Sequence, residues 1–103
     1  MQYIFEVTDK NKRKVHLTQE RLKHIQIHPH MHDPLENIKN ALIEPTIIRR
    51  EDDEMVLYFY REFKHMSPSE KYLLVSVKYL NGTGFVITSF FTNKITGEKW
   101  TTK

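Results

Sequence analysis

Two strand-forming runs separated by the dipeptide Asn81-Gly82 constrain this chain more than any other feature. Tyr72 to Leu80 and Phe85 to Thr92 are rich in β-branched and aromatic residues, the composition that fits a pleated, half-buried surface. Asn-Gly tolerates the positive φ values of a tight hairpin turn, and Thr83-Gly84 leaves room for a bulge or a longer connection. Thr46 to Arg50 and Met55 to Phe63 have the same character. An antiparallel sheet of about four main strands is therefore expected, interrupted by a loop over Lys64 to Lys71 that carries Pro68.

The first half of the chain reads differently. Gln2 to Val7 and Arg13 to Leu17 flank the polar turn Asp9-Lys10-Asn11-Lys12 and predict an N-terminal strand pair. Thr18 offers an N-cap for a helix from Gln19 to about His28, where Pro29 disfavours helical geometry in the residue before it. Leu22 and Ile25 share one side of that helix, and Arg21, His24 and His28 form a polar stripe at i, i+3 and i+7. In a second helix Asp33 is the N-cap, Pro34 takes the first position and Glu36 completes a capping-box pattern. Leu35, Ile38, Ala41 and Leu42 supply its apolar stripe, and Pro45 ends it after Glu44. The expected fold is α+β, with two helices packed on one face of the sheet, in a single domain over 1–103.

Charge and cysteine content narrow the classes of function. The net charge is +3 with histidine neutral, a mild basic excess that favours a polyanionic partner without requiring one. Lys10, Lys12, Arg13 and Lys14 crowd one turn, and Glu51, Asp52, Asp53 and Glu54 form an opposing acidic run. The chain has no cysteine, which removes disulfides and thiolate ligands and fits a reducing cytoplasm. Its apolar runs are shorter than a membrane span, and Met1 to Val7 alternates where a signal peptide would be continuously apolar.

Alternation places candidate chemistry on the sheet. Leu73, Val75, Val77 and Tyr79 form the more apolar row of their strand and leave Ser76 and Lys78 on the other. In the following strand Phe85, Ile87, Ser89 and Phe91 share one row, and Val86, Thr88, Phe90 and Thr92 share the other. With both apolar rows toward the helices, Lys78, Thr88 and Thr92 are expected to converge on the open face, one cation and two hydroxyls suited to a phosphate. Solvated strand residues read the same way. Tyr60 and Arg61 are equally two-sided, as packing groups or as groups that stack on and neutralise a nucleotide.

Histidines form the second cluster. His24 and His28 are four apart, a spacing that serves acid-base chemistry, metal binding or helix capping. A zinc site needs a third ligand, His32 or Asp33, and the H-E-x-x-H signature is absent because position 25 is Ile. No metal and no cofactor is expected.

The order of these groups resembles a known family. Leu17-Thr18, Arg21-Leu22-Lys23-His24-Ile25, His28-Pro29-His30-Met31, Leu42-Ile43-Glu44-Pro45, Tyr60, Val75-Ser76-Val77-Lys78, Val86-Ile87-Thr88-Ser89-Phe90-Phe91-Thr92 and Gly97-Glu98-Lys99-Trp100 are similar to the phage and bacterial barnase-EndoU-colicin-RelE-like nucleases. The chain departs from that pattern at Leu22, where an aromatic is common, at His30 for Glu, at Ser89-Phe90 for Ala-Tyr and at Asn93 for Asp.

The resemblance implies a metal-independent endoribonuclease of toxin or phage-effector type. In such a reaction a base removes the 2′-OH proton, an acid protonates the leaving 5′-oxygen, and cations hold the charge on the phosphoryl oxygens. It implies His24 and His28 as base and acid in either order, Lys78 on phosphate charge, Thr88 and Thr92 on phosphate hydrogen bonds, and Tyr60, Arg61, Arg21 and Ser89 toward the substrate. RNA is the implied partner, together with an antitoxin or immunity protein. The alternative is a non-catalytic module of the same fold that binds RNA or a protein; the acidic run from Glu51 to Glu54, which would repel RNA beside the site, favours a protein or self-association role.

Overall fold

Asn81 and Gly82 adopt φ values of 54° and 81°, and Leu80 pairs directly with Thr83 across them. Positive φ at both central residues is the mirror-image turn whose twist matches a β-hairpin, so the connection is two residues long and Thr83-Gly84 belongs to the strand. Residues 3–27, 31, 33–51, 55–64 and 70–99 are described in this computed structural model. The elements in chain order are β1 (Tyr3–Thr8), β2 (Lys14–Thr18), α1 (Gln19–Ile25), α2 (Pro34–Ile43), β3 (Ile47–Arg50), β4 (Val56–Glu62), β5 (Tyr72–Leu80), β6 (Thr83–Thr92) and β7 (Glu98–Lys99).

The α+β class is as expected, but the sheet is larger and mixed. Seven strands lie in the order β1-β2-β6-β5-β4-β3-β7. From β6 to β7 all neighbours are antiparallel, whereas β2 runs parallel to β6 through the pairs Val15↔Gly84 and His16↔Phe85. The N-terminal strand pair is thus an extension of the main sheet. Gly84 makes this junction possible: a Cβ there would lie 2.9 Å from carbons of Tyr79 and Val77 and 3.0 Å from Val15. Local pattern fixes a strand and its hairpin partner, but a parallel neighbour 69 positions away is set by tertiary packing.

Both helices cover one face. Ile25 from α1 and Ile38, Ala41 and Leu42 from α2 join Val15, Leu17, Leu57, Phe59, Leu73, Val75, Val77 and Val86 in one buried cluster. α1 ends at Ile25, and His28 lies outside the described residues. Its N-cap is as expected, with the Thr18 hydroxyl accepting from the Arg21 N–H at 3.2 Å. Asp33 holds the N-cap place of α2 in a left-handed conformation, φ 44° and ψ 53°, with no side-chain capping bond. The Asp33 half of the expected capping box is therefore not made among the described residues.

A bulge corrects the expected rows of β6. Ser76 pairs with Thr88 but Val77 pairs with Val86, leaving Ile87 as an extra residue. An extra residue reverses alternation beyond it. Val86, Ser89 and Phe91 consequently face the helices opposite Val77, Val75 and Leu73, while Phe85, Thr88, Phe90 and Thr92 face away. Beyond β6 the chain crosses the helix-free face to reach the far edge. The Tyr60 hydroxyl accepts from the Thr96 N–H at 3.1 Å, and Gly97, at φ 92°, packs against Arg49 and Tyr58.

Candidate functional site

The β2–β6 ladder runs through Val15 and His16 before the chain turns into α1, and β6 bulges at Ile87 just beyond it. The divergence leaves a cavity of about 420 Å³ lined by Thr18, Glu20, Arg21, Lys78, Phe85 and Ile87 among others. Local structure explains each polar wall. Thr18 caps α1, which sets Glu20 and Arg21 in its first turn, and Lys78 stands on the helix-free row of β5 opposite Phe85. Arg21 and Lys78 are both exposed. Two cations, with a hydroxyl that accepts one bond and keeps a hydrogen to donate, suit a phosphodiester, and the Glu20 carboxylate sets an anionic limit at one wall.

The sequence-predicted residues divide into those near this cavity and those away from it. Arg21 and Lys78 line it together. His24 is exposed on α1, three residues beyond Arg21 and four beyond Glu20, which puts it one turn, roughly 6 Å, farther along the same flank. Thr88 shares the face of Lys78 on the next rung, opposite Ser76. Thr92 also shares that face, but it pairs with Tyr72, six residues from Lys78 along β5 and so roughly 20 Å away. The expected convergence of Lys78, Thr88 and Thr92 on one phosphate does not occur.

Three expected substrate groups are turned elsewhere. Ser89 is fully buried, and its hydroxyl donates to the Leu74 carbonyl at 2.7 Å. Tyr60 is 1% exposed and lies edge-on to Tyr58 and Tyr72, with its hydroxyl engaged by Thr96. Arg61 pairs with Leu73 and so faces the helix side, where it donates to the Glu44 carbonyl at 2.6 Å and lies 3.9 Å from the Glu44 carboxylate. His28 is outside the described residues, as are His30, His32 and Asp52 to Glu54. Among the described residues no three His, Asp or Glu side chains converge to hold a metal ion.

The sequence reading passed over His16 and Glu6. His16 Nε2 lies 2.5 Å from a Glu6 carboxylate oxygen, its Nδ1 is buried without a hydrogen-bond partner among the described residues, and its ring stands between Tyr3 and Phe85. The hairpin register pairs Glu6 with His16, so counting outward from the Asp9 to Arg13 turn would have brought them together. The cavity wall at Phe85 and Ile87 had no comparable signal, because it depends on the bulge. The chain matches no family model, no curated protein and no solved structure.

Proposed function

We propose that the chain is a metal-independent endoribonuclease whose scissile phosphate sits in the cavity between Arg21 and Lys78. The observation that carries this reading is that one cavity gathers two exposed cations from elements 57 positions apart in sequence. Attack of the ribose 2′-oxygen on phosphorus forms a cyclic phosphate and breaks the bond to the 5′-oxygen. His24, one turn beyond Arg21, serves one of the two proton transfers, and Arg21 and Lys78 hold the charge that develops on the phosphoryl oxygens. The site works on cytoplasmic RNA, and an inhibitor protein covering the two cations would silence it.

A second reading is favoured by the distance of Thr92 from Lys78 and by the burial of Ser89 and Tyr60: a module that binds RNA at the same cavity without cleaving it. Digestion of total RNA by purified protein, with and without chelator, separates the two. Cleavage that survives chelation and falls roughly a hundredfold to a thousandfold in Lys78→Ala, the loss typical of a removed transition-state donor, supports the nuclease. Lys64→Ala, on a surface loop, is the control. Binding with no cleavage by the wild type leaves the second reading.

A further inference from the structure

The aromatic groups beside the cavity identify the form of its nucleic acid. Resting on the RNA reading above, we propose that Tyr3, His16 and Phe85 are a base-stacking subsite of the Arg21–Lys78 cavity, so that its substrate is single-stranded RNA with an unpaired base laid on Tyr3. The register sets Glu6, His16, Phe85 and Lys78 in one row across β1, β2, β6 and β5. Their rings are continuous: Tyr3 and His16 have centroids 4.2 Å apart and planes inclined by 33°, and His16 and Phe85 are 5.6 Å apart at 31°.

The array is anchored at its middle ring and open at one end. His16 is 8% exposed and held at its edge by Glu6, whose other carboxylate oxygen lies 3.7 Å from Lys14 Nζ. That carboxylate, which would otherwise repel a phosphate, has the Lys14 ammonium beside it. Tyr3 is 45% exposed and backed by the His16 ring, so part of it is open to a ligand. Phe85 belongs both to the ring array and to the cavity wall. Tyr3 and Phe85 have ring centroids 6.4 Å apart, and Phe85 faces Lys78 across one strand spacing of about 5 Å, so an RNA strand lying across β1, β2 and β6 can place a base on Tyr3 and a neighbouring phosphate at Lys78. Bases in a duplex are stacked on one another, so only an unpaired base can use such a ring.

The test measures binding of a fluorescent single-stranded RNA and of the same strand annealed to its complement, by anisotropy. The wild type should bind the single strand at least about tenfold more tightly than the duplex, and Tyr3→Ala should weaken the single strand by about tenfold, the order expected of one lost stacked base. Tyr3→Trp should retain binding, and duplex affinity should not change in either variant. Photocrosslinking of the wild-type chain to iodouridine-bearing RNA decides the matter independently of variant folding, with the crosslink expected at Tyr3 or Phe85. Wild-type affinity in Tyr3→Ala, or crosslinks confined to other residues, overturns the stacking subsite. If Lys78→Ala nonetheless weakens both RNAs, the cavity reading stands without it. Binding of neither RNA by the wild type overturns both and leaves a protein as the partner of this surface.

Discussion

Asp9 joins the first hairpin to the centre of the sheet through one buried carboxylate. One oxygen accepts from the N–H groups of Asn11 and Arg13 at 2.8 and 3.0 Å, and the other accepts from the Tyr79 hydroxyl, while the Arg13 guanidinium lies 5.0 Å from the Tyr79 ring centre. Burial and then the bond to Asp9 push the Tyr79 phenol above its ordinary value. An unfolded phenol ionises near pH 10 (about 10 in peptides), whereas the folded one keeps its proton. Its contribution to stability is complete below that pH and is lost as pH rises above it toward the folded value. Urea unfolding across that alkaline range should show a shallower loss of stability in Tyr79→Phe than in the wild type; equal slopes would contradict the assignment. The cavity cations make a second prediction at this scale. For single strands each neutralised phosphate contributes roughly 0.7 to the logarithmic salt slope, so Arg21→Ala and Lys78→Ala should each flatten the slope of RNA binding by about that amount, measured by salt titration. Lys78 was legible as a member of the polar row of an otherwise apolar strand, whereas its meeting with Arg21 in one cavity depends on where β2 ends.

At the scale of elements, β6 carries the two features that shape the cavity. Gly84 admits β2, and a valine there would force atoms into contacts tighter than 3.0 Å with Tyr79 and Val77, given the 2.9 Å separations that even a Cβ would make. Overpacking of this kind costs about 1–3 kcal/mol, so Gly84→Val should lower the denaturation midpoint and loosen the β2 edge, seen as faster amide exchange at Val15 and His16. The Ile87 bulge is the other feature. Strict alternation placed Val86 beside Thr88, whereas the bulge sends Val86 and Ser89 to the helices together. The β5–β6 hairpin and its turn were legible because Asn81-Gly82 accepts positive φ at both central positions of a tight turn and Tyr72–Leu80 has a clear period. The bulge was not, since an extra residue in a run of β-formers leaves the composition unchanged. α2 was legible from its apolar stripe, although Asp33 takes its place there by backbone conformation and not by capping.

Across the whole molecule, the sheet is strongest at its centre and weakest at its ends. β4, β5 and β6 are long and paired on both sides, whereas β7 has two residues and closes the edge at β3 through Arg49↔Lys99 and Arg50↔Glu98. An Arg50–Glu98 contact at 2.5 Å supports it from the surface. Hydrogen exchange should therefore be slowest in β5 and fastest in β7, and Gly97→Ala should accelerate exchange in β3 as well. Its added Cβ would meet the Arg50 carbonyl at 2.8 Å in a backbone with φ 92°, a combination of strain and clash. Neither β7 nor the parallel β2–β6 junction was legible, because a two-residue strand has no period and a distant parallel partner leaves no local mark. That junction also governs when the cavity can form. Thr18 to Arg21 and Lys78 to Ile87 meet only across it, so on a ribosome the early half of the cavity must wait for nearly all of the late half to be translated. The cavity therefore exists only in a chain whose synthesis has passed β6.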